Sequence, residues 1–117
     1  MTPYHVRRAF ETVATESAGT TGTAKSDAAE SVRESVREAS GETFESVTTE
    51  ATEVFEFPAG PFDPYRITVQ GTVTVAVESD DETSATETGD QLIEDLLTAA
   101  GLDGWEYLDE ATVAGTD

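Results

Sequence analysis

The chain reads as a single α+β domain, with helices packed on one face of a mainly antiparallel sheet and elements in the order α-α-β-β-α-β. Three observations predict it. Tyr65 to Val77 alternates with the period of a half-buried strand. Residues 27–40 and 88–100 carry apolar side chains at helical spacing between start and stop signals. The length of 117 residues is that of one domain with one modest core. Within it, residues 1–41 are expected to be helical, and residues 43–114 to run strand, strand, helix, strand.

The first expected helix starts at Thr2, a capping residue, with Pro3 where a missing N–H costs nothing. Val6, Phe10, Val13 and Ser17, with Ala9 and Ala14 beside them, mark one helical face, and Gly19 ends it. Asp27 with Glu30 resembles a capping box for a second helix. Its stripe is Ala28/Ala29, Val32, Val36 and Ala39, and Gly41 stops it. The tandem Ser31-Val32-Arg33-Glu34 and Ser35-Val36-Arg37-Glu38 puts Arg33 and Arg37 on one face. Ion pairs such as Glu34 to Arg37 are worth a few tenths of a kcal/mol, and salt screens them.

Phe44 to Phe57 is expected to be extended, with Val47, Thr49, Ala51, Phe55 and Phe57 inward and Glu53 interrupting them. Pro58, Gly60, Pro61 and Pro64 then enforce a turn. The strand that follows sets Tyr65, Ile67, Val69, Gly71, Val73, Val75 and Val77 on one face. Thirteen residues at about 3.3 Å each span roughly 43 Å, against about 35 Å for a compact chain of this size. Either Gly71 marks a bulge or bend, or the strand overhangs its own domain. Ser79 to Thr88 reads as an acidic loop. Thr88 with Gln91 opens a third helix, whose broad apolar face includes Leu92, Ile93, Leu96 and Leu97. Gly101 and Leu102 stop it in a Schellman-like turn. Trp105, Tyr107, Ala111 and Val113 predict a final strand.

The formal net charge is −19, from 25 carboxylates against 6 basic residues, of which Lys25 is the one lysine. Leu, Ile, Val and Phe together number 23 of 117, a proportion low enough to raise the question of disorder. The periodicity above answers it, since a disordered chain has no reason to show any. Halophilic adaptation explains the same composition. In molar salt the Debye length falls to about 3 Å, so a carboxylate coat hydrates the surface without disrupting the fold. Salt also strengthens apolar burial, so less apolar surface suffices. Abundant Glu, Asp, Thr, Ala and Val, with no Cys, resembles haloarchaeal proteins generally. The strand, acidic loop, helix and strand from Tyr65 to Val113 are similar to segments in small proteins of tailed viruses and their hosts. That resemblance implies a virion or assembly role.

No cofactor or metal site is expected. The chain has no cysteine, and His5, near the N-terminus, is its one histidine, so a zinc site of two or more histidine or cysteine ligands cannot be built within it. No phosphate-binding glycine motif is present. Asp80-Asp81-Glu82 lacks the alternation and glycine of a calcium loop. No apolar run approaches the roughly 18 residues of a membrane span, and no apolar signal core follows Arg7-Arg8. The expected location is therefore a high-salt cytoplasm or a virion, with no membrane partner. Nucleic acid is not expected as a partner of so acidic a chain.

Charge is unevenly placed: −1 over residues 1–40, −5 over 41–66 and −13 over 67–117. The near-neutral stretch and the long strand together point to protein partners, the chain itself or a larger assembly. Arg7, Arg8, Arg33 and Arg37 are the candidate charged contacts, and Thr72 and Thr74 the candidate contacts on the strand. The expected role is non-enzymatic, structural or interaction-based, in a halophilic archaeon or its tailed virus, for instance at a head–tail joint. The alternative is a small ligand-binding or regulatory module using Tyr65, Trp105, Tyr107 and the phenylalanines around a pocket.

Overall fold

The computed structural model of the chain describes residues 2–60, 63–102 and 104–116. Its elements are β1 (Thr2–Glu16), α1 (Thr21–Ala39), β2 (Phe44–Glu56), β3 (Tyr65–Ser79), α2 (Glu82–Ala99), β4 (Glu106–Tyr107) and β5 (Thr112–Thr116). The α+β class stands, but the order is β-α-β-β-α-β-β and not α-α-β-β-α-β. One sheet runs β2-β3-β1-β4, every pairing is antiparallel, and β5 continues along the β4 edge of β1. With β4 and β5 taken as one interrupted strand, this is the split β-α-β arrangement of ferredoxin-like domains.

The largest correction concerns the N-terminus. Residues 2–16 form a central strand, so the N-terminal part is not wholly helical. Val6 and Phe10 are four apart and suit a helix, but they also lie on the even face of a strand with Tyr4, Arg8, Thr12 and Ala14. Arg8 hides that alternation. Tertiary pairing decides the outcome: β3 is central, and β1 pairs with it without a break from Thr2↔Ser79 to Glu16↔Tyr65.

Gly71 is neither a bulge nor a bend, since it pairs regularly with Phe10 on one side and Thr49 on the other. Its missing side chain makes room for a ring. A Cβ there would stand 2.6 Å from Phe10 Cζ. The strands stay long, and the molecule extends 56 × 23 × 20 Å. Register shifts fall in β2 instead, between Phe44 and Ser46, Ala51 and Glu53, and Val54 and Glu56, with one more in the β1–β5 pairing beside His5 and Val6. The second shift reverses which side chains point inward. Val54 is therefore half-buried and Phe55 57% exposed, while Phe57, past the end of β2, is 63% exposed, both phenylalanines contrary to the expected inward set.

Both helices start earlier than their spacing signals. Thr20 caps α1, its hydroxyl accepting from Thr23 N at 3.2 Å. Asp81 caps α2, its carboxylate accepting from Ser84 N at 2.7 Å, so the expected acidic loop is the first half of a helix. Ala85 and Gly89 are its buried positions there, too small to register as an apolar stripe. Gly101 ends the helical stretch in a left-handed conformation, φ 69°.

The two helices touch each other and cover one side of the sheet. The core lies between them: Val6 and Phe10 from β1, Ile67, Val69, Val73 and Val75 from β3, Ala24, Ala28, Val32 and Val36 from α1, and Ile93 and Leu97 from α2. Thr49 Oγ1 donates to Ala29 O at 2.7 Å and ties the edge strand to α1.

Candidate interaction face

Strand alternation gives the other side of the sheet a composition of its own. From β1 come Pro3, His5, Arg7, Ala9, Glu11, Val13 and Thr15; from β3 come Arg66, Thr68, Gln70, Thr72, Thr74, Ala76 and Glu78. No helix among the described residues covers them. Two arginines and two glutamates make these fourteen positions formally neutral, in a chain of net charge −19. The flanking strands are acidic on the same side, where Glu50, Glu53 and Glu56 of β2 stand opposite Gln70, Thr68 and Arg66, and Glu106 of β4 stands opposite Glu11. Both helices are acidic on exposed positions such as Glu30, Glu34, Glu38, Glu82, Glu87 and Glu94.

Cross-strand contacts tie the face together. Gln70 Nε2 donates to Glu11 Oε2 at 3.1 Å. The His5 ring bonds the Glu45 carboxylate across the sheet. Arg66 lies 4.0 Å from Glu56 and stacks 5.2 Å from the Phe55 ring centroid. Thr68 is buried although no layer covers it, and Thr72 and Thr74 are half-buried. A shallow depression of about 440 Å³ lies over the middle of the face, between Ala9, Thr48, Glu50, Gln70, Thr72 and Leu108.

Leu108 reaches this face because the edge strand is interrupted. Glu106 and Tyr107 pair with Glu11 and Phe10, and Thr112 resumes opposite Arg7. Between them Leu108 N still donates to Ala9 O at 3.0 Å. The carboxylate of Asp109 then replaces a strand carbonyl, accepting from Ala9 N at 2.9 Å. The excursion leaves Leu108 46% exposed beside Ala9.

Of the six residues singled out from the sequence, three meet on this face. Arg7 pairs with Thr74 across the strands, and Thr72 is one row further on, opposite Ala9. Arg7 is exposed and has no ion pair among the described residues. Arg8 points the other way, into the helix layer. Its guanidinium bonds Asp90, donates from Nε to Asp109 O at 2.8 Å and lies 3.4 Å from the Tyr107 ring centroid. Arg33 and Arg37 are on α1, away from the face. Arg37 is exposed, 3.9 Å from Glu34, and Arg33 is half-buried with Nε unpaired among the described residues. Sequence reasoning missed Leu108, because its exposure follows from an edge interruption that no spacing signals.

Burial pushes the Tyr107 phenol up to about 12, with the Asp90 charge adding to the effect. The backbone bond from Ser84 holds the Asp81 carboxyl below the usual range. Among the described residues no group of three or more His, Asp or Glu side chains is placed to hold a metal ion. No described helix is long and apolar enough to cross a membrane.

No protein-family model matches the chain, and no curated protein matches it. Among solved structures it is similar to AtUAH in complex with glyoxylate, at 14% identity and a TM-score of 0.34, over 97% of this chain and 28% of that one. It is likewise similar to AtUAH in complex with (S)-hydroxyglycine, at 15% identity and a TM-score of 0.25, over 99% and 27%. The chain thus spans under a third of the length of the protein it resembles, and likeness at this level carries no argument about activity.

Proposed function

We propose that the protein is a non-catalytic interaction module, which docks through its uncovered sheet face as part of an assembly in a salt-rich cell or virion. The observation that carries this reading is the neutrality of the two central strands on that face. The acid coat reaches the edges of the face, on Glu50, Glu53 and Glu56 of β2 and Glu106 of β4, and stops at the two central strands. A strip meant for a partner has reason to lose it, because a buried carboxylate without a matched cation is costly. Half-buried threonines and one exposed leucine are suited to such contact, since threonine satisfies polar neighbours without carrying charge.

The particle mass of the protein in its native extract, in molar KCl, tests this. The wild type is expected to elute heavier than a single chain, and Thr72→Glu, which puts a charge on the face, to elute lighter. A wild type that leaves the extract as a single chain overturns the reading.

A further inference from the structure

The depression over the middle of the uncovered face follows from the register. Ala9, Thr72 and Thr48 form one row across β1, β3 and β2, and all three side chains are short. The next row holds Glu11, Gln70 and Glu50, whose side chains are long. Gln70 and Glu50 wall the short row on one side, and Leu108, beside Ala9, closes its β1 end. The result is a hollow of about 440 Å³ with hydroxyls on its floor, a carboxylate at one wall and an apolar side chain at another.

Its polar groups are unequally satisfied. Gln70 has committed a donor to Glu11, from Nε2 to Oε2 at 3.1 Å, and its amide oxygen remains to accept. Along β2, Glu45 bonds His5 and Glu56 lies beside Arg66. Glu50 is exposed and has neither a hydrogen bond nor an ion pair among the described residues. Arg7 does not serve it: the two are four residues and two strands apart, about 16 Å at the backbone. A group that fits the hollow therefore supplies donors without acceptors, carries positive charge and has an apolar stem. Arginine has all three, with a planar fork of five N–H donors on an aliphatic chain.

We propose that the hollow receives an arginine side chain of a different protein. Its guanidinium bridges the Glu50 carboxylate and the Gln70 amide oxygen, and its stem lies against Leu108 and Ala9. The proposal names the partner's chemistry for the interaction reading above and rests on it. The position suits an anchor, since Thr72 is the middle residue of β3 and binding energy concentrates near the centre of an interface. A longer side chain at Thr72 would fill the hollow from its floor.

Charge decides against a second copy as the donor. With its flanking strands included the face is acidic, and exposed arginines of this chain have carboxylates beside them, Arg37 with Glu34 and Arg66 with Glu56. A second copy would bring those carboxylates against an acidic rim. A partner with a basic surface brings none. In molar salt the attraction acts at contact, where the pair is shielded from solvent, and selects the partner more than it steers the approach.

Calorimetric titration of the purified chain in molar KCl with a synthetic peptide is the test. The peptide is an alanine-rich helix with one central arginine between two leucines, and its twin carries citrulline, a neutral isostere, in that place. The wild type is expected to bind the arginine peptide about tenfold more tightly than the twin. Glu50→Gln should remove that preference and leave the affinity for the twin unchanged. Leu108→Ala should weaken both peptides, and Glu87→Gln, exposed on α2, should change neither. Circular dichroism confirms that each variant is folded. Equal binding of the two peptides, binding of neither, or a loss with Glu87→Gln as large as with Glu50→Gln overturns the arginine site, and a heavy extract particle then leaves the interaction reading standing. A single chain in the extract together with no peptide preference overturns both. A purified chain that dimerises unaided, and stops doing so in Glu50→Gln, assigns the arginine to a second copy and overturns the choice of partner.

Discussion

Arg8 carries its charge to the helix-covered side of the sheet, where a lone cation would be costly. Three groups hold it: the Asp90 carboxylate on α2, the Asp109 carbonyl and the face of the Tyr107 ring. The ring contact is electrostatic, since an aromatic face is electron-rich. Tyr107 is the unfinished member of this group, for its hydroxyl is buried and has no hydrogen-bond partner among the described residues. Burial, first, and the Asp90 charge, second, raise its pKa from 10.0 to about 12. The fold therefore holds the phenol proton more tightly than the unfolded chain does. Its contribution is intact below about 10 and is lost as pH climbs from about 10 to about 12. Tyr107→Phe removes both the unpaired hydroxyl and this titration. It is expected to melt at the same temperature as the wild type or higher near neutral pH, and to lose less stability across the alkaline range. Thermal melts in a pH series measure both effects, and a variant that melts markedly lower at neutral pH shows that the hydroxyl has a partner.

The contact between β1 and α2 turns on Gly89, where a Cβ would stand 2.5 Å from Val6 Cβ. Glycine inside a helix costs about 1 kcal/mol relative to alanine, and here it lets the helix backbone rest on the strand. Gly89→Ala gains that propensity but forces β1 and α2 apart, because Val6 Cβ cannot rotate away; overpacking costs about 1–3 kcal/mol. Gly22, in the first turn of α1, has nothing within 4 Å of its would-be Cβ. Gly22→Ala is therefore expected to stabilise by up to about 1 kcal/mol, and Gly89→Ala to destabilise. Denaturant midpoints with matched slopes report the opposite signs, and stabilisation by both would mean that the close approach is absent. Side-chain size and alternation decide which elements the sequence reveals. β3 can be read because Ile67, Val69, Val73, Val75 and Val77, all buried and β-branched, recur at alternate positions with only Gly71 between them. β1 was obscured because Arg8 breaks its alternation, leaving Val6 and Phe10 to mimic a helix. The first half of α2 was hidden because its buried positions, Ala85 and Gly89, are small. On the candidate face Arg7, Thr72 and Thr74 were named from the sequence, but not that Arg7 and Thr74 are neighbours, since that follows from the β1–β3 register.

At the scale of the whole molecule the charge distribution and the shape bear on the same question. The chain is elongated, 56 Å by 23 Å by 20 Å, with a radius of gyration of 15.8 Å, so a large share of its residues meets solvent. A net charge of −19 on such a body repels itself strongly when the Debye length is about 10 Å, and much less at about 3 Å. The core opposing that repulsion is built largely of valine and alanine. Apolar burial of this modest size is strengthened by salts that are excluded from the surface. The fold is therefore expected to melt cooperatively in molar KCl and to loosen or unfold at low ionic strength. The transition should shift most steeply over the range where the screening length falls below the spacing between neighbouring carboxylates. Circular dichroism across a salt series follows the transition. Equal, fully native spectra at low and molar salt would sink the salt-adapted reading of the acid coat, and a coil at every salt would mean that the chain does not fold by itself.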